Sequence, residues 1–109
     1  MVPLAERKHR LLHGHDVVRC DVIEHSYTPP PQPSACEFAW GPALEVGVAG
    51  KGHFGCVSDT VAGSTRVLRY GKSIAIGPFR CTSRSSGMTC TNTKTRHGFT
   101  VSRVAYRLF

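Results

Sequence analysis

Phe79-Arg80-Cys81-Thr82-Ser83-Arg84-Ser85-Ser86-Gly87-Met88-Thr89-Cys90-Thr91-Asn92 reads as a β-hairpin stapled by a disulfide. With Ser85-Ser86 as a two-residue turn, Arg84 faces Gly87, Ser83 faces Met88, Thr82 faces Thr89 and Cys81 faces Cys90. The pair beside a two-residue loop is hydrogen-bonded, and the type alternates outward. Cys81 and Cys90 therefore fall at a non-hydrogen-bonded pair, where Cα atoms stand about 4.5 Å apart, within bridging reach. Side chains alternate between faces along a strand. Phe79, Cys81, Met88 and Cys90 then share one face, and Arg80, Thr82, Arg84, Thr89 and Thr91 the other. One register thus pairs the cysteines and also sorts apolar from polar. Ser-Ser is not a preferred pair for positive φ, so Gly87 can instead supply that conformation in a three-residue loop.

The flanks repeat the theme of short strands and tight turns. Asp16 to Ile23 is rich in β-branched residues and reads as a strand; Ala43 to Ala49, His53 to Val57 and the Phe99–Val101 region read likewise. Gly50-Lys51-Gly52 and Ser58-Asp59-Thr60 are turns. Arg66 to Arg69 and Lys72 to Ile76 flank Tyr70-Gly71, a second tight hairpin candidate. Ile74 and Ile76 occupy even positions while Phe79 and Cys81 occupy odd ones, which predicts a bulge or bend at Gly77-Pro78. Ser102 to Phe109 closes the chain as a further strand or one short helical turn. Tyr27 to Pro33 carries prolines at 29, 30, 31 and 33 and is expected to be an extended spacer. Cys36 to Trp40 is short and apolar. Met1 to His15 is polar and His-rich and is expected to be poorly ordered, leaving 16–109 as a single β domain.

The chain has 109 residues, enough for one domain with a modest core, and 18 of them are Gly or Pro. The five Phe, three Tyr and single Trp40 are the expected anchors. The fold class is therefore all-β: a small barrel or sandwich of short antiparallel strands, stapled by disulfides. No stretch is long and apolar enough for a transmembrane helix. Met1 to Asp16 lacks the apolar run of a signal peptide. Disulfides need an oxidising compartment, so the start of this sequence is expected to be misplaced or its export signal lost, unless the thiols stay reduced inside the cell.

Charge is placed unevenly. Residues 1–59 hold all seven acids and five Lys or Arg, a net of −2. Residues 60–109 hold nine Lys or Arg and no acid, a net of +9. Such asymmetry fits either a solvated basic surface or contact with a polyanion. Arg80 and Arg84 on the hairpin's polar face, with Arg69 and Lys72 nearby in sequence, form a candidate anion-binding patch. Nucleic acid is the second choice of partner. Tyr70 and Phe99 sit among basic residues as stacking aromatics would, but no Gly-x-x-Gly clamp or ribonucleoprotein-type aromatic motif is present.

Catalytic and metal motifs are absent from the sequence. There is no Gly-x-Ser-x-Gly elbow. Every acid lies before residue 60, which disfavours paired-carboxylate chemistry. Asp59 reads as a turn residue and His97 as a packed or turn histidine. No Cys-x-x-Cys is present; His9 and His13 are the one His pair four apart. No cofactor, catalytic residue or metal ligand is assigned; a small enzyme or metal-binding protein is the third reading, and a monomer is expected.

A set of motifs resembles a family. These are Leu68-Arg69-Tyr70-Gly71, Gly77-Pro78-Phe79-Arg80-Cys81-Thr82-Ser83, Ser86-Gly87-Met88-Thr89-Cys90-Thr91-Asn92 and His97-Gly98-Phe99-Thr100-Val101-Ser102-Arg103. Val18-Arg19-Cys20-Asp21-Val22, the Pro-rich run with Cys36, Trp40-Gly41, and Cys56 with Asp59-Thr60 accompany them. Over roughly residues 17 to 109 the chain resembles a family of small exported, Cys-rich actinobacterial domains of unknown function. The resemblance implies a secreted or cell-envelope β domain of mycobacterial type, often lipid-anchored, with no assigned activity; in that setting the basic C-terminal half is expected to face an anionic envelope polymer or lipid. Members of that family usually carry a further cysteine near the N-terminus, paired with the equivalent of Cys20. Counting back from Cys20 by the Cys81–Cys90 spacing lands on Leu11. Beside the odd cysteine count, this implies bridges Cys81–Cys90 and Cys36–Cys56, with Cys20 a free thiol. Arg19 beside it would favour a reactive thiolate and Asp21 would oppose it, so an orphaned structural cysteine is the expectation.

Overall fold

The Phe79–Asn92 ribbon folds in the register that its own alternation dictates. In the computed structural model, which describes residues 8–13, 16–22, 24–56 and 65–109 (8–13 and 65–67 through the backbone alone), Arg84 opposes Gly87 and Cys81 opposes Cys90. Phe79, Cys81, Met88 and Cys90 are buried, while Arg80 and Arg84 are exposed. Ser85 and Ser86 keep negative φ, and Gly87 takes the positive value, φ +143°.

Ten strands are described, and no helix. They are β1 (Lys8–His13), β2 (Val17–Asp21), β3 (Ala43–Gly47), β4 (His53–Phe54), β5 (Thr65–Arg69), β6 (Ser73–Ile76), β7 (Phe79–Arg84), β8 (Gly87–Asn92), β9 (Gly98–Val101) and β10 (Tyr106–Leu108). They form two antiparallel five-stranded sheets, ordered β4-β3-β2-β1-β5 and β10-β9-β8-β7-β6. The sheets face each other as a sandwich. Val18, Cys20, Leu44, Val46, Phe54 and Leu68 come from the first; Phe79, Cys81, Met88, Cys90, Phe99 and Val101 come from the second. Burial of these alternating apolar faces is the main stabilising term.

Polar ties complete the sandwich. Asn92, 1% exposed, ends β8, and its Nδ2 donates to the Gly47 carbonyl of β3 at 3.0 Å. Its Oδ1 accepts from the backbone N–H groups of Lys94 and Thr95, which closes the turn into β9. At one end Tyr27, Phe54 and Tyr106 meet edge to face, with centroids 4.9–6.0 Å apart, and Trp40 tilts onto Phe54 at 5.9 Å. The proline-rich run lies over this cluster, held by Trp40 Nε1 donating to the Pro30 carbonyl and Tyr27 Oη donating to that of Gly41. Gly98 is needed where strands crowd, since a Cβ there would overlap the Cys90 carbonyl.

Cys36 is bridged to Cys56, which ties the proline-rich loop to the residues after β4, and Cys81 is bridged to Cys90 with Cα atoms 4.1 Å apart. Cys20 is a buried free thiol.

Two local expectations give way. β5 and β6 do not pair as a hairpin: β5 pairs with β1 and β6 with β7, so Tyr70-Gly71 is the corner where the chain leaves one sheet for the other. There Gly71 N–H donates to the Ser83 carbonyl and Ser83 N–H to that of Lys72, extending the β7 ladder up to the corner. Gly77-Pro78 is no bulge. It is a two-residue turn with Gly77 at φ +56°, and opposite partners across such a turn join an even number to an odd one. Ile74 pairs with Cys81 and Ile76 with Phe79, so all four share the inner face without a switch. Cys36 to Trp40 is loop, with a single bridge residue at Ala39. Within 1–15, Lys8–His13 forms β1, between β2 and β5, and Leu11 stands opposite Cys20. The Ser58-Asp59-Thr60 turn lies outside the described residues.

A candidate anion-binding face on the second sheet

The outer faces of the two sheets carry different chemistry. Across β2, β3 and β4 of the first sheet, charge is matched side by side. Arg19 and Asp21, two apart on β2, pair through Nε–Oδ1 at 2.9 Å and Nη2–Oδ2 at 3.3 Å. Glu45 of β3 meets His53 of β4, with Nε2–Oε1 at 3.3 Å. The His53 side chain is held above its ordinary pKa, chiefly by that bond to Glu45 and further by the Lys51 carbonyl.

On the second sheet, cations stand among hydroxyls. Arg80, Thr82 and Arg84 alternate outward along β7. Thr82 lies opposite Ser73 on one side and Thr89 on the other; Thr89 lies opposite Thr100, and Thr100 opposite Arg107. Ser73 Oγ and Thr82 Oγ1 are 3.1 Å apart, and Thr89 Oγ1 and Thr100 Oγ1 are 3.0 Å apart. Arg107 lies with its guanidinium carbon 5.6 Å from the centre of the Phe109 ring. No acid follows Asp59 in the sequence, so β6–β10 carry no carboxylate side chain. An open cleft of about 530 Å³, within the range of ligand sites, is lined by Tyr70, Gly71, Ser73, Thr82, Arg84 and Ser85. A second cleft, lined by Glu24, His25, Ser26, Arg103 and Val104, mixes both signs of charge.

Of the four cations grouped by sequence, Arg80 and Arg84 share this face. Arg69 ends β5 in the other sheet, and Lys72 sits at the corner opposite Ser83; both are exposed. Phe99 is fully buried and offers no stacking surface, whereas Tyr70 borders the cleft. Ser73, Thr100 and Arg107 join the face only through the order of strands. The alternation of Ile74 with Ile76 and of Phe99 with Val101 put Ser73 and Thr100 on the other face, but Arg107 lies in a stretch open to strand or helical turn, and which strands are neighbours was not visible. Cys20 is sealed in the core. Burial, and after it the charge of Asp21, pushes its thiol far above the usual range, so it is no thiolate nucleophile. Among the described residues no group of three or more His, Cys, Asp or Glu could hold a metal ion, and no helix is long and apolar enough to cross a membrane.

Residues 6–109 match the model of a family of unknown function (DUF6636). No curated protein and no solved structure matches the chain.

Proposed function

We propose, for a chain that belongs to this family of unknown function, the role of a non-enzymatic binding module of the cell envelope whose second sheet takes an anionic ligand. One observation carries the reading: Arg80 and Arg84 are exposed on one sheet face beside an open cleft, in a half of the chain that contains no acid. Guanidinium groups offer paired donors to carboxylate or phosphate, and a face without competing carboxylates leaves them available to a ligand. Two disulfides are consistent with an oxidising environment, and together with the resemblance to exported actinobacterial domains they support placing the module outside the cytoplasm.

The test is retention on immobilised anionic polymer and on anionic lipid, against duplex DNA, across a salt gradient. The reading expects salt-sensitive retention on polymer or lipid with no preference for DNA. It also expects weaker retention when Arg80 and Arg84 are both replaced by Ala. Unchanged binding in that variant removes this face from the site. A steep salt dependence for DNA alone would make the protein a nucleic-acid binder instead.

A further inference from the structure

Resting on the anion-binding reading above, we propose that the outer face of the second sheet binds a linear acidic polysaccharide laid across the strands. The hydroxyl row Ser73–Thr82–Thr89–Thr100 crosses four strands and ends on Arg107 in the fifth. With strands about 4.8 Å apart, the row is about 19 Å long, the length of a short run of pyranose units rather than of a single anion. Arg80 and Arg84 flank the row at β7, one on each side of Thr82, and Arg107 closes its far end. Cations beside the β7 position and at the β10 end, three strands apart, suit a polymer whose acid groups recur along a chain.

The hydroxyls argue for sugar over the other polyanions. In each bonded pair one hydroxyl donates to the other, which leaves the accepting hydroxyl its own proton and both oxygens a lone pair. The row therefore presents donors and acceptors together, as a polyol requires, whereas phosphodiester oxygens only accept. Single-stranded nucleic acid binders add a succession of aromatic stacking platforms, whereas here Phe99 is buried, Tyr70 borders the cleft at the Ser73 end and Phe109 sits with Arg107 at the other, with only hydroxyl side chains in the row between them. A bilayer surface would call for apolar side chains to insert, yet among the described residues the large apolar side chains exposed to solvent, Phe38, Val48 and Val104, lie outside strands β6–β10.

The experiment is calorimetric titration of the full chain, at about 0.15 M salt, with polygalacturonate, galacturonic acid monomer, a neutral linear glucan, duplex DNA and phosphatidylglycerol vesicles. Polygalacturonate is expected to bind, the neutral glucan not to bind, and the monomer to bind at least about tenfold more weakly than the polymer, a difference of 1.4 kcal/mol. The double variant Thr89→Val, Thr100→Val keeps β-branched residues at half-buried strand positions. It is expected to lose about tenfold for the polymer and nothing for DNA. Arg107→Ala, at an exposed position, provides a second probe that does not touch the row's packing; it is expected to weaken the polymer and leave the monomer unchanged. DNA or vesicles bound more tightly than polygalacturonate, with both variants unaltered, would overturn the polysaccharide assignment and leave the anion-binding reading standing. No binding to any of the anions would remove both.

Discussion

Replacing Leu11 with Cys should close a third disulfide. Leu11 stands directly opposite Cys20 in the β1–β2 pair, as Cys81 stands opposite Cys90 in β7–β8. The separation of Cys81 from Cys90 is 9 residues, and Leu11 and Cys20 have the same spacing. Cys20 faces the core with no exposed surface, so a thiol placed opposite it on the same side of the ribbon meets a partner already held in position. Closing a loop of this length restricts the unfolded chain by about 2.5 kcal/mol. For a domain of this size that corresponds to a rise in Tm on the order of 10 °C. Leu11→Ser is the control, because it removes the leucine without offering a thiol. Thermal unfolding followed by circular dichroism without reductant gives the comparison, and intact mass after alkylation counts the thiols. The reasoning requires no free thiol in oxidised Leu11→Cys and a Tm well above that of Leu11→Ser. A folded variant that keeps two alkylatable thiols in oxidising buffer would refute the β1–β2 register. Peptide mapping that found the new cysteine joined to Cys36, Cys56, Cys81 or Cys90 would refute it as firmly.

Asn92→Ala is expected to destabilise the domain by about 1–3 kcal/mol, because it removes a buried side chain, strands the half-buried Gly47 carbonyl and uncaps the turn into β9; a denaturation midpoint within error of the parent protein would rule out the tie between sheets. His53→Ala should matter only at low pH. Its folded pKa is raised, so the pair with Glu45 contributes fully below the ordinary value of 6.5 and is lost as pH rises through the folded one. The pair is half exposed, so the cost should be below about 1 kcal/mol near pH 5.5 and close to nothing near pH 9; the opposite trend in urea midpoints would refute the assignment. Cys20 should resist a thiol reagent in the native protein, accept one label on unfolding without reductant, and be one of five labelled after reduction. Rapid native labelling would show that the core opens at β2.

The two-residue turn between β7 and β8 made its own register legible, because pairing, cysteine spacing and the alternation of apolar and polar residues all had to agree within fourteen neighbouring positions. β2, β3 and β9 were legible for a related reason: one face of each is buried, and that leaves a period of two in the sequence. β1 was not. Lys-His-Arg-Leu-Leu-His shows no such period, and its assignment comes from pairing on both sides, with β2 and with β5.

The sequence alone therefore determined the class of fold, the central hairpin and the acid-free basic half. Each of these depends on interactions between residues close in the chain, or on composition. Tertiary structure decided which strands are neighbours: that the chain turns a corner at Tyr70-Gly71 and changes sheets, that Asn92 reaches β3, and that Ser73, Thr100 and Arg107 complete a row begun by Thr82 and Thr89. Strand order depends on hydrogen-bond ladders and core packing between segments far apart in sequence. Alternation within a strand records which face is buried, and it carries no information about what lies alongside.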